Sequence, residues 1–153
     1  MMLIEATTTE DFNEAALLFL EYANGLGIDL GFQQFKEELK TLPIMYRRPT
    51  GILYLMRVNN ESVACTGVRK IGENIAELKR MYVREAYRKM GVAQKLLDAS
   101  LLFAKEAGYE KIRLDTLDTM LPAMTLYEKN GFQKIPAYYF NPEPTAVYFE
   151  KAL

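Results

Sequence analysis

Hydrophobic positions along the chain change period several times, and each change marks an element. Phe12, Ala15, Ala16, Phe19 and Ala23 recur at three- and four-residue spacing behind the cap Thr7-Thr8-Thr9, predicting an amphipathic helix to about Asn24-Gly25. Phe32, Phe35, Leu39 and Leu42 predict a second helix that Pro43 stops, because its ring removes a donor and crowds the preceding turn. From Gly51 the period shortens to two. Ile52 to Val58, Ser62 to Ile71 and Ile75 to Val83 read as strands of an antiparallel meander, turning at Asn59-Asn60 and Gly72-Glu73-Asn74. Helical spacing returns from Val92 to Ala107, with Gly108 closing that helix. Lys111 to Leu117 reads as a buried strand with Ile112 and Leu114 facing one way. Pro122 suits the start of a short helix through Asn130, ended by Gly131. Phe132 to Tyr139 and Thr145 to Leu153 read as final strands across the turn Asn141-Pro142-Glu143-Pro144. With an opening strand at Met2 to Ala6 the order is βααβββαβαββ, a mixed α/β sheet with helices on both faces.

Composition narrows the chemistry. A chain of 153 residues with 50% hydrophobic types closes one core, and no repeat or linker interrupts it, so residues 1–153 are expected to form a single domain. There is no histidine, which removes Ser-His-Asp and Cys-His nucleophile systems and nearly every zinc ligand set. No Asp-rich loop of the EF-hand kind stands in, and no metal is expected. Cys65 cannot form an intrachain disulfide and reads as a small buried hydrophobe in a reducing compartment. Charges break every apolar run short of a membrane span, and Met1-Met2-Leu3-Ile4-Glu5 lacks the basic start of a signal peptide. The expectation is a cytoplasmic protein without a membrane partner.

A formal net charge of -1 argues against a nucleic-acid partner, yet the charge is unevenly placed. Between Lys79 and Lys95 six basic residues stand against Glu85 alone, on an otherwise acidic body. Within that stretch Arg88-Lys89-Met90-Gly91-Val92-Ala93 runs directly into a helix start, where backbone N–H groups lack partners and the dipole favours anions. Gly91 admits close backbone approach and Ala93 keeps the next turn clear, so the loop is suited to phosphate. No Gly-Lys-Ser/Thr follows, so it is not a Walker loop.

The run Glu77-Leu78-Lys79-Arg80-Met81-Tyr82-Val83, then Arg88-x-x-Gly91-x-Ala93, then Ala123-x-x-x-Tyr127-x-x-x-Gly131-Phe132 resembles the signature of the GNAT-superfamily N-acetyltransferases in order and spacing. The resemblance implies a mostly antiparallel sheet whose central strand pair splays apart, and acetyl-CoA as co-substrate. By that resemblance the backbone of Met81 and Val83 pairs with the pantetheine arm as an added strand, with Tyr82 also among the cofactor-binding residues, Arg88, Lys89, Met90, Gly91, Val92 and Ala93 hold the pyrophosphate, and a backbone N–H near Met81 meets the oxyanion. Tyr127 matches the family acid. A phenol near ~10 protonating a thiolate near ~8.5 is uphill by about 2 kcal/mol, a gap a tuned site closes. Glu77 is the family-analogous base. A carboxylate near ~4.3 facing an ammonium near ~10.4 is short by about 8 kcal/mol, so the resemblance calls for a water relay, a raised carboxyl or an amine bound neutral. Where the family often has an asparagine, Met120 stands, which removes one side-chain contact to the cofactor.

The acceptor wall implied by the family offers Tyr22, Phe32, Phe35, Tyr46, Tyr138, Tyr139 and Phe140. Arg47 and Arg48 would suit an amino-acid-like acceptor, whereas Glu37, Glu38 and Glu143 would suit a polyamine or aminoglycoside. The expected activity is acetyl transfer to a primary amine of a small molecule by direct attack in a ternary complex. The alternatives are a non-catalytic acyl-CoA-binding module and an enzyme acting on protein amines. Sheet edges near the final hairpin would suit a homodimer.

Overall fold

A computed structural model describes residues 1–27 and 34–153; Phe32, a predicted member of the second helix and of the acceptor wall, lies outside the described residues. After β1 (Met2–Glu5), helix α1 (Thr9–Leu26) starts on a capping box. The Thr8 hydroxyl accepts from the Asp11 N–H at 3.1 Å while the Asp11 carboxylate accepts from the Thr8 N–H at 3.1 Å, satisfying donors the helix cannot. Gly27, left-handed at φ 67, ends it.

Pro43 is not the stop the sequence suggests. Helix α2 (Phe35–Lys40) has already closed at Thr41, and Pro43 lies in the first turn of a separate short helix, α3 (Leu42–Met45), where a missing N–H has no partner to lose. The meander β2 (Ile52–Val58), β3 (Glu61–Gly72) and β4 (Ile75–Val83) follows, then α4 (Val92–Glu106), β5 (Lys111–Leu117) and α5 (Leu121–Lys129). The last strands are β6 (Gln133–Ile135) and β7 (Ala146–Ala152). β6 is shorter than the predicted strand to Tyr139, because Pro136 has no N–H to continue the ladder, and the released chain carries Tyr138 and Tyr139 over the sheet face.

The seven strands lie in the order β1-β2-β3-β4-β5-β7-β6, antiparallel except for β4 and β5. That parallel pair holds only Ile75↔Lys111, Ala76↔Ile112 and Glu77↔Arg113, after which the strands part and leave a fork. One face of the sheet packs Phe12, Leu18, Phe19, Leu42 and Tyr46 from α1 and the α3 region onto Leu53, Leu55 and Cys65. The other packs Leu97 and Phe103 of α4, with Tyr127, onto Leu78, Ile112 and Leu114. The mixed α/β architecture with flanking helices and a splayed strand pair is therefore present.

A bulge lies just beyond the point where the strands part. Gly67 pairs Lys79 and Cys65 pairs Tyr82, so Thr66 alone faces both Arg80 and Met81, with Arg80 left-handed at φ 58. An extra residue bends its strand and increases its twist, which carries the end of β4 away from β5. It also resets the side-chain alternation. Lys79 and Arg80 both serve the α1 face, Met81 returns to the α4 face, and Tyr82 meets Tyr22 of α1 with ring centroids 6.2 Å apart.

Candidate active site

The basic loop adopts the geometry its glycine suggests. Lys89 and Gly91 are both left-handed, at φ 63 and φ 78, and Gly91 caps α4 without any side-chain bond, leaving the first-turn N–H groups directed outward. A Cβ built on Gly91 meets nothing within 4 Å, because it stands in a cleft of about 460 Å³. The cleft runs from this loop along Met81, Tyr82 and Val83 to Ala123 and Tyr127. The structure thus brings together Met81, Tyr82, Val83, Arg88, Lys89, Gly91, Val92 and Ala93; Met90 lies outside the lining with its side chain turned to solvent. Arg88 donates from Nε to the Val83 carbonyl at 2.8 Å and its guanidinium lies 6.0 Å from the Tyr82 ring centroid, joining the loop to the end of β4.

The fork supplies the second part. The Arg84 N–H bonds the Val63 carbonyl of β3 at 3.0 Å, so by alternation Tyr82 also addresses β3 while the N–H groups of Met81 and Val83 address the fork. Backbone donors left on a strand edge need partners, and an extended chain carrying amides would supply them. A small cavity of about 30 Å³ continues into the fork, lined by Tyr22, Arg80, Met81, Asp115, Met120 and Tyr127. A strand edge leading from a loop suited to phosphate to a small chamber fits acetyl-CoA. The loop would hold its phosphates, the edge its pantetheine amides and the chamber its acyl end.

Tyr127, near the end of α5, lines both cleft and chamber, its ring held against Phe132 and Phe149 at 5.6 and 6.0 Å. Burial pushes its phenol well above the ordinary value of 10.0. Tyr22 reaches the chamber from the opposite face, and burial pushes it up to about 12 against the opposing charge of Arg80. Met120 occupies the seat expected of an asparagine, its sulfur accepting from the Thr116 hydroxyl at 3.6 Å.

The carboxylates are arranged differently from the expectation. Glu77 is buried at the closed end of the fork, where its Oε1 accepts from Arg69 Nε at 2.9 Å and its Oε2 from the Tyr138 hydroxyl at 2.6 Å. It lines neither cleft nor chamber. Asp115, two residues beyond the last paired position of β5, does line the chamber. Its Oδ2 accepts from the Tyr139 hydroxyl at 2.7 Å and its Oδ1 lies 3.8 Å from Lys79 Nζ, which also lies 3.9 Å from Glu77. Burial pushes the Lys79 ammonium down, against the pull of Glu77. Asp115 escaped the sequence reading. The available signal was the alternation of β5, which puts Arg113 and Asp115 on one face and Ile112 and Leu114 on the other.

The predicted acceptor wall is partly redrawn. Tyr22, Tyr138 and Tyr139 do surround the fork, but Tyr46 is core, sealed by Gly67, and Phe140 projects into solvent. Glu38 is buried against Arg80 at 2.9 Å and cannot receive a polyamine; Glu37 is exposed beside Lys40, and Glu143 caps Thr145. Arg48 pairs with Glu5 and lies over Phe103 on the α4 face, away from the fork. Among the described residues no helix is long and apolar enough to cross a membrane.

Comparison with known proteins agrees with this geometry. The Acetyltransferase (GNAT) family matches over residues 24–132. An uncharacterized N-acetyltransferase of Schizosaccharomyces pombe is 35% identical over 91% of this chain and 86% of its own. A GNAT-family acetyltransferase from Staphylococcus aureus shares the fold with a TM-score of 0.82 at 23% identity, covering 99% of this chain and 98% of its own. A putative streptothricin acetyltransferase from Bacillus anthracis, solved with acetyl coenzyme A, aligns at TM-score 0.61 and 25% identity over 70% of this chain and 65% of its own.

Proposed function

We propose, from its place in the GNAT acetyltransferase family to which the chain belongs, that it transfers an acetyl group from acetyl-CoA to the primary amine of a small molecule by direct attack in a ternary complex. The observation that carries this reading is the fork, an open β4 edge with a phosphate-suited loop at one end and Tyr127 with Asp115 at the other. Acetyl-CoA supplies an activated acyl thioester. In this reading the Met81 N–H meets the thioester oxygen as charge develops on it, a stabilisation that a fixed donor supplies without reorganisation. Tyr127, kept protonated by burial, holds the proton that the departing sulfur needs.

Asp115, with the Tyr139 hydroxyl, takes the role facing the amine nitrogen. Lys79, 3.8 Å away, opposes a second positive charge there and so favours an acceptor in its neutral, nucleophilic form. Glu77 acts one layer back, holding Tyr138 and Lys79 through its own bonds, and its role as base passes to Asp115 in this proposal. The tyrosines folded over the fork favour a small acceptor over a protein tail. Buried, reduced Cys65 accords with a cytoplasmic location.

Mixing the protein with acetyl-CoA and a panel of amines, amino acids and peptides tests the proposal by release of free thiol and by product mass. Tyr127→Phe should lower turnover about 10- to 100-fold and leave acetyl-CoA affinity near wild type. Unchanged turnover would remove Tyr127 from the mechanism. Acyl-CoA binding without acetylation of any acceptor would favour a binding module, and peptide-only turnover a protein-directed enzyme.

A further inference from the structure

The side chain of the bulge residue Arg80 is engaged in a charge pair that the chemistry above does not use. Arg80 donates from Nε and one terminal nitrogen to the two oxygens of Glu38, at 3.0 and 2.9 Å, with both side chains nearly sealed from solvent. The Tyr46 hydroxyl adds a third contact to Glu38 at 3.4 Å, and the guanidinium lies 5.2 Å from the Phe35 ring centroid. Two features make the pair costly. A buried ion pair is rarely more stabilising than an apolar pair of the same volume. Arg80 also occupies a left-handed conformation that side chains other than glycine avoid.

We propose that Glu38–Arg80 is a positioning clamp. It holds Arg80 in the bulge, so that Met81 presents its N–H to the fork, and it fixes that geometry to α2 on the acceptor side of the sheet. The inference rests on the reading of Met81 as the donor to the thioester oxygen. Cys65 Sγ donates to the Arg80 carbonyl at 3.4 Å and Thr66 Oγ1 to the Lys79 carbonyl at 3.3 Å, so the bulge backbone has bonds of its own, and the pair adds the anchor that fixes the Arg80 side chain on the α1 face. A regular ladder would turn its side chain toward the α4 core and shift every later residue of β4 to the opposite face. Helix α2 gains from the same contact, since six residues with no side-chain bond at the N-cap are too few to be helical alone. The pair therefore links the acceptor-side helix to the acyl seat.

Two double variants separate the clamp from a stabilising role. Glu38→Gln with Arg80→Val and Glu38→Gln with Arg80→Gly both remove the ion pair, but glycine accepts φ 58 freely and a β-branched residue resists it. The valine version should lose about 100-fold in kcat, the worth of one oxyanion donor, and the glycine version should retain several-fold more. CoA affinity, set mainly by residues 88–93, should stay within about threefold in both. Hydrogen exchange and the chemical shift of the Met81 amide, read without any acceptor, should move in the valine version and stay near wild type in the glycine version. Equal kcat together with equal Met81 signals in the two would overturn the clamp. If no amine is acetylated even by the wild type, the activity reading fails and the amide measurement still decides the clamp. Should the valine version not fold, Glu38→Gln alone is read, and an unmoved Met81 amide there overturns it.

Discussion

The two sides of the β4–β5 fork are built by opposite means. The side proposed for the cofactor is contiguous: residues 81–93 supply the strand edge, the loop and the helix start, where first-turn backbone N–H groups have no side-chain cap. The acceptor side draws on Arg69 of β3, Glu77 and Lys79 of β4, Asp115 of β5 and the two tyrosines after β6, and its charges are already engaged with one another. On the proposed function, the difference follows from what each partner needs. A phosphate needs donors, which a helix start offers as backbone N–H groups without intrahelical partners. An amine needs a selected charge balance, which only side chains from several elements can set.

The contrast is broken most directly at Gly91. Gly91→Glu places a strained side chain and a negative charge in the open phosphate seat, and CoA affinity measured by calorimetry should fall by more than about 100-fold. Retained affinity would show that the cofactor side does not rest on the loop. The acceptor side is tested by comparing Asp115→Asn with Glu77→Gln. Asp115→Asn should lower kcat/KM for the amine by about 30-fold with CoA affinity unchanged. Glu77→Gln should lower turnover less but reduce Tm, because the half-buried Arg69 loses its partner. A larger turnover loss from Glu77→Gln would return the base to Glu77.

A smaller effect concerns what supports the acceptor side. A Cβ at Gly67 would lie 2.5 Å from the Tyr46 ring, itself fixed between Phe19 and the sheet, so Gly67→Ala should cost about 2 kcal/mol in denaturant unfolding. CoA affinity of the folded fraction should hold, since the loop is remote from that contact. The smallest effect is in pH dependence. Burial raises the Tyr127 phenol, so its proton is kept to a higher pH than in free tyrosine and is lost only above the ordinary value of 10.0. The alkaline limb of kcat due to Tyr127 should therefore lie above pH 10. A limb below that value, absent from Tyr127→Phe, would mean a phenol shifted downward in the complex.

Much of the fold was legible because its signals are local. The strands Ile52–Val58 and Ile75–Val83 and the start of α4 stand where the period of two, the paired asparagines and the glycine put them. The misreadings have local reasons too. Pro43 reads as a stop, although a first turn accepts proline as readily as a terminus does. Tyr138 and Tyr139 continue an alternating pattern, and only the lost donor at Pro136 ends the ladder before them.

The sequence by itself determined the phosphate-suited loop, since a basic run, a glycine and a helix start adjacent in the chain must be adjacent in space. Tertiary structure decided where the fork opens and which charged groups meet there. A single-residue bulge at Arg80 inverts the alternation that a strand pattern assumes, so Arg80 turns to Glu38 instead of the α4 core. The opening of the fork then decides which carboxylate meets the chamber. Glu77 and Asp115 lie on neighbouring strands, yet the pairing of β4 with β5 stops between them, and only Asp115 is left beside open space. No local periodicity encodes where two distant strands cease to pair. That point is set by the twist of the whole sheet and the packing on both its faces.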